Sequence, residues 1–415
     1  MVSTLDTLHL SLYDTPVATV TRSRSHRTPG RLTWRWRPEA AERWGVGSRM
    51  VSHLLPIGAG GEGPADVAAT VFIDGLLPEG ELRTHRAAAL GVDPDDTFAL
   101  LGRLGLDAAG ALVASPETAS VGPQPGDPVP ISADEIAARL AEEGSGRLRG
   151  ELTSTSLAGL VPKIGLDRAD DGSWLMPGWG RPSTWIVKAA HPPSSVAADV
   201  VDTEALCLDL GRRCGVTTVE AEILDLGDSR ALAVRRFDRG LSGSRRHQED
   251  LAQALGIATG DPERKFQRGR ERPSWRLAAD VLRTSGGQLS PLARLVTFSY
   301  LVGNSDHHAK NTSFQRYADG RVAVAPAYDI AVHLHHPGAH LLALDIAGKR
   351  RFEEVTLDDV VTEIASWGVP EPAARSAVDD VVADLGQALA EVDRSAHPGV
   401  SGQVWELLRV RVRRS

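Results

Sequence analysis

The segment Gly303-Asn-Ser-Asp-His-His-Ala-Lys-Asn311 lies in the C-terminal half of a chain of 415 residues. It places Asp306 and Asn311 in the spacing D-x-x-x-x-N, and a second aspartate, Asp329, follows further along the chain. The apolar or alternating residues at 312–314 and 322–324 predict two short strands between Asn311 and Asp329. We therefore expect these two side chains at the ends of a small hairpin.

An aspartate, an asparagine and a second aspartate in this order are what metal-assisted phosphoryl transfer requires. One carboxylate orients the attacking hydroxyl, while the asparagine amide and the second carboxylate hold Mg²⁺ against the phosphates of ATP. The spacing is that of the catalytic loop of protein kinases. Because it also occurs by chance, a polar turn between a helix and a hairpin is the alternative interpretation of these residues.

The bulk properties indicate a globular protein. The chain is 42% hydrophobic and 24% charged, and its length predicts about two or three domains. It lacks an apolar run of about 18 residues and a secretory signal at its start, so we predict a cytoplasmic protein without a membrane span. Cys207 and Cys214 lie too far apart on a predicted helix for a disulfide.

A net charge of −8 argues against a strongly cationic nucleic-acid binder. The basic residues 408–415 are expected to form a solvated tail.

The order of the predicted elements divides the chain into four parts. We predict a β-rich N-terminal module at 1–113, a linker rich in proline and glycine at 114–131, a small β-rich lobe at 132–239 and a mainly helical lobe at 240–415. A β-rich lobe beside a helical lobe is a typical setting for a nucleotide cleft.

Local patterns support this division. The alternation of Leu8, Leu10 and Leu12 before Val17–Val20 predicts a hairpin. Further β-like and loop segments follow, and helices are predicted at about 81–90 and 95–104. Ser132-Ala-Asp-Glu135 is a capping box, which predicts the start of a helix.

Two charged residues stand where a nucleotide site would need them. Trp185-Ile-Val-Lys188 predicts a strand that ends in a lysine, which could pair with the α- and β-phosphates. Glu204 opens a predicted helix at about Thr203–Arg213 and could pair with Lys188. The alternatives are an ordinary strand-edge lysine and a glutamate favoured by the positive end of the helix dipole.

Two further segments could contact a nucleotide. The small residues from Ser154 to Lys163, with Gly159 among them, have free backbone N–H groups that can cradle an anion, and Lys163 adds positive charge. The segment Val234–Arg239 links the two predicted lobes, so its backbone could bind the adenine edge while Phe237 packs on the ring. Simple core packing is the alternative for Phe237.

Taken together, several segments resemble the HipA family, the serine/threonine kinase toxins of bacterial type II toxin–antitoxin modules. The resemblance covers nearly the whole chain. It is carried by Phe72–Pro78, Leu101–Ala111, Ser156–Lys163, Ser183–Lys188, Arg236–Arg239, His247–Gln253, Gly303–Asn311 and Pro326–Asp329.

This resemblance implies an α+β, bilobal, protein-kinase-like fold and a serine/threonine protein kinase that uses ATP and Mg²⁺. It implies roles for seven residues. By position they are Asp306 as catalytic aspartate, His308 and Lys310 as catalytic-loop residues, Asn311 and Asp329 as Mg²⁺ ligands, Lys188 as the nucleotide-binding lysine and Phe237 as the hinge aromatic residue.

Ser156 matches the serine that characterised family members autophosphorylate, which ejects the phosphate-binding loop and silences the kinase. Ser154 could share this modification. The chain departs from the family pattern at Val161, where a loop glutamine is usual, and at Arg235 and Trp185. Val161 removes a side-chain amide from the loop, which puts loop docking and efficient autophosphorylation in doubt.

The resemblance also implies partners. Relatives phosphorylate an aminoacyl-tRNA synthetase and bind a small helix-turn-helix antitoxin, so we expect a protein substrate, an antitoxin, DNA only through that antitoxin, and no membrane. Two alternatives stay open: a catalytically weak co-repressor that binds the antitoxin, and a small-molecule phosphotransferase.

Four histidines follow Asp329, in His333-Leu-His-His-Pro-Gly-Ala-His340. Histidine clusters can hold zinc. Since no cluster of cysteines or carboxylates accompanies them in the sequence, we interpret this segment as a loop beside Asp329, the expected metal ligand.

Overall fold

The computed structural model describes residues 7–22, 32–116, 126–148, 155–157, 159–240, 244–268 and 273–413. Its strands are β1 (Thr7–Leu12), β2 (Thr15–Arg22), β3 (Leu32–Trp36), β4 (Leu112–Ser115), β5 (Val129–Pro130), β6 (Lys163–Arg168), β7 (Trp174–Met176), β8 (Trp185–Ala189), β9 (Ala221–Asp225), β10 (Arg230–Arg235), β11 (His247–Asp250), β12 (Ser313–Arg316), β13 (Val322–Val324), β14 (Leu341–Ile346) and β15 (Lys349–Arg351). Its helices are α1 (Pro38–Trp44), α2 (Asp66–Asp74), α3 (Gly80–Leu90), α4 (Thr97–Leu104), α5 (Ala133–Ser145), α6 (Val200–Arg213), α7 (Leu251–Leu255), α8 (Trp275–Thr284), α9 (Ser290–Val302), α10 (Leu357–Ser366), α11 (Glu371–Glu391) and α12 (Gly402–Arg413).

The chain divides into two compact units. The first contains the described residues up to Ala189, together with Asp238–Asp261 and Gln315–Arg321. The second contains Ala190–Phe237, Pro262–Phe314 and the described residues from Val322 onward. Each unit therefore collects segments that are distant in the sequence, and the domain boundaries predicted from the sequence stay predictions.

The first unit begins with an antiparallel sheet in the order β3-β2-β1-β4. Leu8, Leu10 and Leu12 are buried and the residues between them are half-exposed, so the predicted alternation and hairpin are confirmed. Tyr13 and Asp14 form the turn with φ of 49° and 60°. Two consecutive residues with positive φ give the turn twist that matches two antiparallel strands.

Four helices accompany this sheet, two of which differ from the prediction. α3 and α4 confirm the expected helices, whereas α1 and α2 lie where β-like and loop segments were expected. The β-branched residues of α2 favour a strand locally. In the structure α2 is a helix because Phe72 and Ile73 are buried in the core below the sheet, where the Phe72 ring meets Trp34 edge-on at 6.4 Å.

The predicted linker contains two strands. β4 reaches Ser115 and pairs with β1, and β5 pairs with β7 at the edge of the arrangement β5-β7-β6-β8. An edge suits Pro130 because proline has no N–H to donate to a second neighbour. After it, Ser132 and Glu135 form the predicted capping box of α5.

The second unit contains α6, which confirms the helix predicted near Thr203–Arg213. The expectation that Glu204 opens this helix is wrong. α6 begins at Val200, so Glu204 lies in its second turn and is buried. Cys207 and Cys214 are both buried and free, as predicted.

The hairpin that follows Asn311 is confirmed. It consists of β12 and β13, and backbone hydrogen bonds run from Tyr317 N–H to Arg321 and from Ala325 N–H to Ser313. The second unit also includes the antiparallel pairs β9–β10 and β14–β15 and the helices α8 to α12.

The expectation of a solvated basic tail is wrong. Most of it belongs to α12, and Arg411 donates to the carbonyl oxygens of Leu301 and Tyr300 at 2.9 and 2.6 Å. These bonds add a positively charged donor at the C-terminal end of α9, where the carbonyl groups lack the i+4 partners of the helix interior. Within the described residues, no helix is both long enough and apolar enough to cross a bilayer.

Candidate active site

The predicted catalytic loop begins where α9 ends. Gly303 closes α9 with φ of 76°, a left-handed conformation that glycine adopts without steric cost. Asn304 follows, and its side-chain oxygen accepts from the N–H of Asp306 at 3.1 Å and pairs with Nδ1 of His333 at 3.1 Å. The loop is therefore held at its start by a side chain from another segment of the second unit.

Asp306 lies in an environment that disfavours its charge. Burial is the main cause, and the negative charge of Asp329 adds to it, so that the pKa of Asp306 rises to about 6. Lys265 acts in the opposite direction, because its positive charge lowers the pKa. The side chain of Asp306 is nevertheless solvent-exposed and that of Asp329 is half-buried, so a cation can reach both carboxylates and would relieve their repulsion.

Asn311 and Asp329 are oriented by separate contacts. The amide Nδ2 of Asn311 donates to the carbonyl oxygen of Asp306 at 3.0 Å, which leaves Oδ1 as the atom that can bind a cation. Asp329 has φ of 55°, a region that aspartate and asparagine tolerate better than other side chains. The hydroxyl of Tyr328 donates to the carbonyl of Lys310 at 2.7 Å and contacts Ser313 Oγ at 2.6 Å. The second unit thus brings Asp306, Asn311 and Asp329 into one region.

The two histidines of the loop, His307 and His308, differ in their hydrogen bonds. His307 has both ring nitrogens occupied, by Ser299 Oγ at 2.7 Å and Thr312 Oγ1 at 3.1 Å, so it braces the loop. His308 is buried, and Nδ1 has no hydrogen-bond partner among the described residues. Burial, helped by Lys265, lowers the pKa of His308 to about 3, so this ring is neutral at physiological pH.

Sequence reasoning missed Lys265 and Phe266. Lys265 is buried on a 3₁₀ turn, Pro262–Lys265, and the Phe266 ring meets His308 edge-on at 5.4 Å. The rarity of lysine in this chain could have drawn attention to Lys265. Arginine supplies most of the 46 basic residues, and the lysines are only Lys163, Lys188, Lys265, Lys310 and Lys349.

The first unit pairs two of these lysines. Lys163 on β6 lies directly opposite Lys188 on β8 in an antiparallel register, so both side chains project from the same face. Gly159 has φ of +105°, and a Cβ there would clash with the ammonium of Lys163. Two lysines on one face of the sheet, one of them beside a glycine turn, are an arrangement that suits phosphate groups.

Ser156 is fully buried in the first unit. Its hydroxyl donates to the carbonyl of Leu76 at 2.6 Å, and its N–H donates to the carbonyl of Asp107 at 3.0 Å. Ser154 lies outside the described residues. In this conformation Ser156 is therefore docked against the N-terminal part of the chain.

The Arg236–Arg239 segment contributes a buried ion pair. Arg239 donates to Asp107 at 2.8 Å, with both side chains at 1% exposure or less. Asp107 also accepts from Thr155 and Ser183, at 3.0 and 2.7 Å. In the second unit Phe237 contacts the core of α6, β9 and β10, and its ring lies 5.3 Å from that of Tyr328.

Comparisons with known proteins agree with this arrangement. The chain matches the HipA N-terminal domain over residues 8–115 and the HipA-like C-terminal domain over residues 155–389. It is 32% and 31% identical to the kinase-named proteins Y4mE and Y4dM of Sinorhizobium fredii. The alignments cover 77% and 72% of this chain and 78% and 70% of theirs.

Two comparisons involve Shewanella oneidensis. The chain is 28% identical to its serine/threonine-protein kinase toxin HipA over 78% of this chain and 77% of that protein. The solved complex of HipA, HipB and operator DNA from strain MR-1 contains a chain that superposes with a TM-score of 0.78 at 23% identity, covering 98% of this chain and 97% of that one. The predicted α+β, kinase-like fold is thus confirmed, and the chain belongs to the HipA family.

Proposed function

We propose that this protein is an ATP- and Mg²⁺-dependent serine/threonine protein kinase that serves as the toxin of a type II toxin–antitoxin module. The observation that carries the proposal is the pair of mutually repelling carboxylates, Asp306 and Asp329, with the amide of Asn311 bonded to the backbone of Asp306. Carboxylate and amide oxygens are ligands that Mg²⁺ prefers. These residues therefore fit the metal that the chemistry requires.

Each of these residues has a distinct task. Bound Mg²⁺ would neutralise charge on the phosphates, and Asn311 and Asp329 would hold it. Asp306 would orient the hydroxyl of the substrate and accept its proton, because its raised pKa makes it a better base than an aspartate with the ordinary pKa. His308 is neutral and Lys310 is buried, so both are suited to fixing the loop rather than to exchanging protons.

The nucleotide contacts are proposed for the remaining residues. Lys188 and Lys163 would bind phosphate oxygens, since both ammonium groups project from one face. Gly159 keeps the turn narrow enough for Lys163. Phe237 would pack against the adenine ring.

Autophosphorylation would act on the docked segment. A phosphoryl group adds about −1.5 to −2 charges at neutral pH. On Ser156 it would lose the donor that now binds the Leu76 carbonyl and would place charge in a fully buried position. Phosphorylation of Ser156, or of Ser154, should therefore expel the segment and switch the kinase off.

The partners are proposed from the relatives. The Shewanella protein is named a kinase toxin, and its solved complex contains HipB and operator DNA. By analogy this chain would bind a small DNA-binding antitoxin, reach DNA through it, and phosphorylate a protein such as an aminoacyl-tRNA synthetase.

The experiment is a transfer assay with labelled ATP, Mg²⁺ and a bacterial lysate, followed by intact-mass and peptide mapping of the protein itself. Asp306→Asn should lower transfer by roughly 10²–10⁴-fold, and Asp329→Asn should abolish it. The matched control is Asp319→Asn, an exposed aspartate in the hairpin turn, which should transfer like wild type.

The mapping should find phosphate on Ser156 or Ser154 in wild type and none in Asp306→Asn. Wild-type transfer by either active-site variant would refute the assigned roles. An active wild-type protein that stays unphosphorylated would refute the switch alone.

A further inference from the structure

Beyond the proposed kinase site, two histidines and one carboxylate converge in the second unit. Asp199 precedes α6, and His335 and His336 follow Asp329 along the chain. Nε2 of His335 lies 2.7 Å from one carboxylate oxygen of Asp199, and Nε2 of His336 lies 2.7 Å from the other. One ligand atom from each residue lies within 4.8 Å of the other two. The fold thus brings a carboxylate, Asp199, to histidines that are 136 and 137 residues away in the sequence.

The carboxylate of Asp199 is not used as a helix cap. An aspartate before a helix usually accepts from the backbone N–H groups of the first turn. Asp199 makes no such bond, and both of its oxygens face imidazoles instead. Both oxygens are therefore directed at imidazole nitrogens and are placed to bind a metal together with them.

The histidine segment is held in place by other contacts. The N–H groups of His333 and Leu334 donate to the carbonyl of Gly303 at 3.1 and 3.2 Å, and His336 N–H donates to the carbonyl of His333 at 2.8 Å. The side chains of His335 and His336 are 7% and 10% exposed, whereas Asp199 is 26% exposed. The ligands are thus anchored, and the carboxylate side is open to solvent.

We propose that Asp199, His335 and His336 form a binding site for a divalent transition metal such as Zn²⁺. Two imidazoles and one carboxylate with a fourth position open to water are a familiar zinc ligand set. Ligands about 2.0–2.2 Å from a tetrahedral metal lie about 3.3 Å apart, so the 2.7 Å contacts need to open by roughly half an ångström. Each neutral imidazole would then carry its proton on Nδ1, which leaves the lone pair of Nε2 for the metal.

A metal here would connect two segments of the second unit that matter to the proposed kinase site. Asp199 is joined to α6, the helix that carries Glu204, and the histidines lie on the segment that begins at Asp329. Binding would restrict the start of α6 relative to that segment. The site is distinct from the Asn311 and Asp329 pair. Its two imidazole nitrogens are softer ligands than the oxygens of that pair, and softer ligands favour Zn²⁺ over Mg²⁺.

The test is a Zn²⁺ titration against a chromophoric chelator, with tag-free protein in excess Mg²⁺. An Asp329→Asn background keeps the proposed Mg²⁺ site out of the count. One Zn²⁺ per chain is expected. His335→Ala, His336→Ala and Asp199→Asn should each weaken binding by more than the roughly 10–100-fold that loss of an outer-shell partner costs.

Two histidine variants serve as controls. His340→Ala removes an exposed histidine from the same segment, and His397→Ala removes the partner of Asp209 at the other end of α6, a pair with only one imidazole. Both should bind Zn²⁺ like the parent. Co²⁺ absorption in the visible range gives a second readout that needs no kinase activity.

The proposal is overturned if the parent protein binds no Zn²⁺ under these conditions, or if binding survives Asp199→Asn and both cluster histidine variants. Circular dichroism of each metal-free variant shows whether it is folded. Should an alanine variant unfold, His336→Gln, which keeps a polar side chain of similar reach, takes its place in the comparison.

Discussion

At the scale of single residues, Asp306 shows how the fold prepares a side chain for chemistry. The position of Asp306 in the loop can be read from the neighbouring sequence. Its raised pKa cannot, because it comes from desolvation by the surrounding protein and from the charge of Asp329, which the charge of Lys265 opposes. A carboxyl group with a raised pKa in the native state favours the protonated form. Its contribution to stability is therefore present below the unfolded pKa and is lost as the pH rises through about 6.

This linkage predicts a pH-dependent effect of Asp306→Asn. Without divalent cations, the variant should gain stability over wild type as the pH rises from 5 to 8. Urea unfolding at the two pH values measures the difference. Asp319→Asn, in the exposed hairpin turn, should show no such gain. A difference between Asp306→Asn and wild type that does not change with pH would contradict the assigned burial and charge environment.

At the scale of elements, the Asp107 cluster joins segments that no local pattern connects. Asp107 follows α4, Thr155 precedes the docked Ser156, Ser183 precedes β8, and Arg239 follows the predicted hinge. A buried carboxylate is tolerable only when its hydrogen-bond capacity is filled. Here backbone and side-chain donors fill it, so the segments around Ser156 and Lys188 are held by one residue.

Asp107→Asn should therefore destabilise the protein strongly. Removal of one partner of a buried ion pair costs roughly 3–5 kcal/mol, and we expect the lower end because Asp238 still pairs with Arg239. Chemical denaturation measures the loss. As a comparison, Asp358→Asn breaks an exposed pair with Arg375 and should leave the unfolding midpoint unchanged. Equal effects of the two variants would show that the Asp107 cluster is not a major support of the fold.

At the scale of the whole molecule, nucleotide binding should appear as a gain in stability. A ligand that binds only the native state adds about 2.7 kcal/mol at a hundredfold excess over its Kd. ATP with Mg²⁺ should thus raise the melting midpoint of wild type, and Lys188→Ala should show a much smaller shift. Lys349→Ala is the matched control, because that lysine is half-exposed and pairs with Asp359 at 2.8 Å. An unchanged shift in Lys188→Ala would place the nucleotide elsewhere.

The features that the sequence determined by itself are local. The capping box at Ser132, the hairpin from Leu8, the hairpin after Asn311 and the spacing of Asp306 and Asn311 each depend on residues close together in the chain. Backbone geometry and hydrogen bonding over a few residues impose these patterns, so they are visible without a fold. The motifs that resemble the HipA family are also short stretches of sequence. The comparisons confirm that the chain belongs to this family.

Only the tertiary structure decided the features that depend on long-range contacts. It placed Lys265 beside Asp306, buried Ser156 against Leu76, made a helix of the β-branched residues in α2, and brought Asp199 to His335 and His336. Pairs separated by tens to hundreds of residues leave no periodic trace in the sequence. Their proximity follows from the summed packing of many elements, which overrides local preference because burial of apolar surface outweighs the small propensity differences.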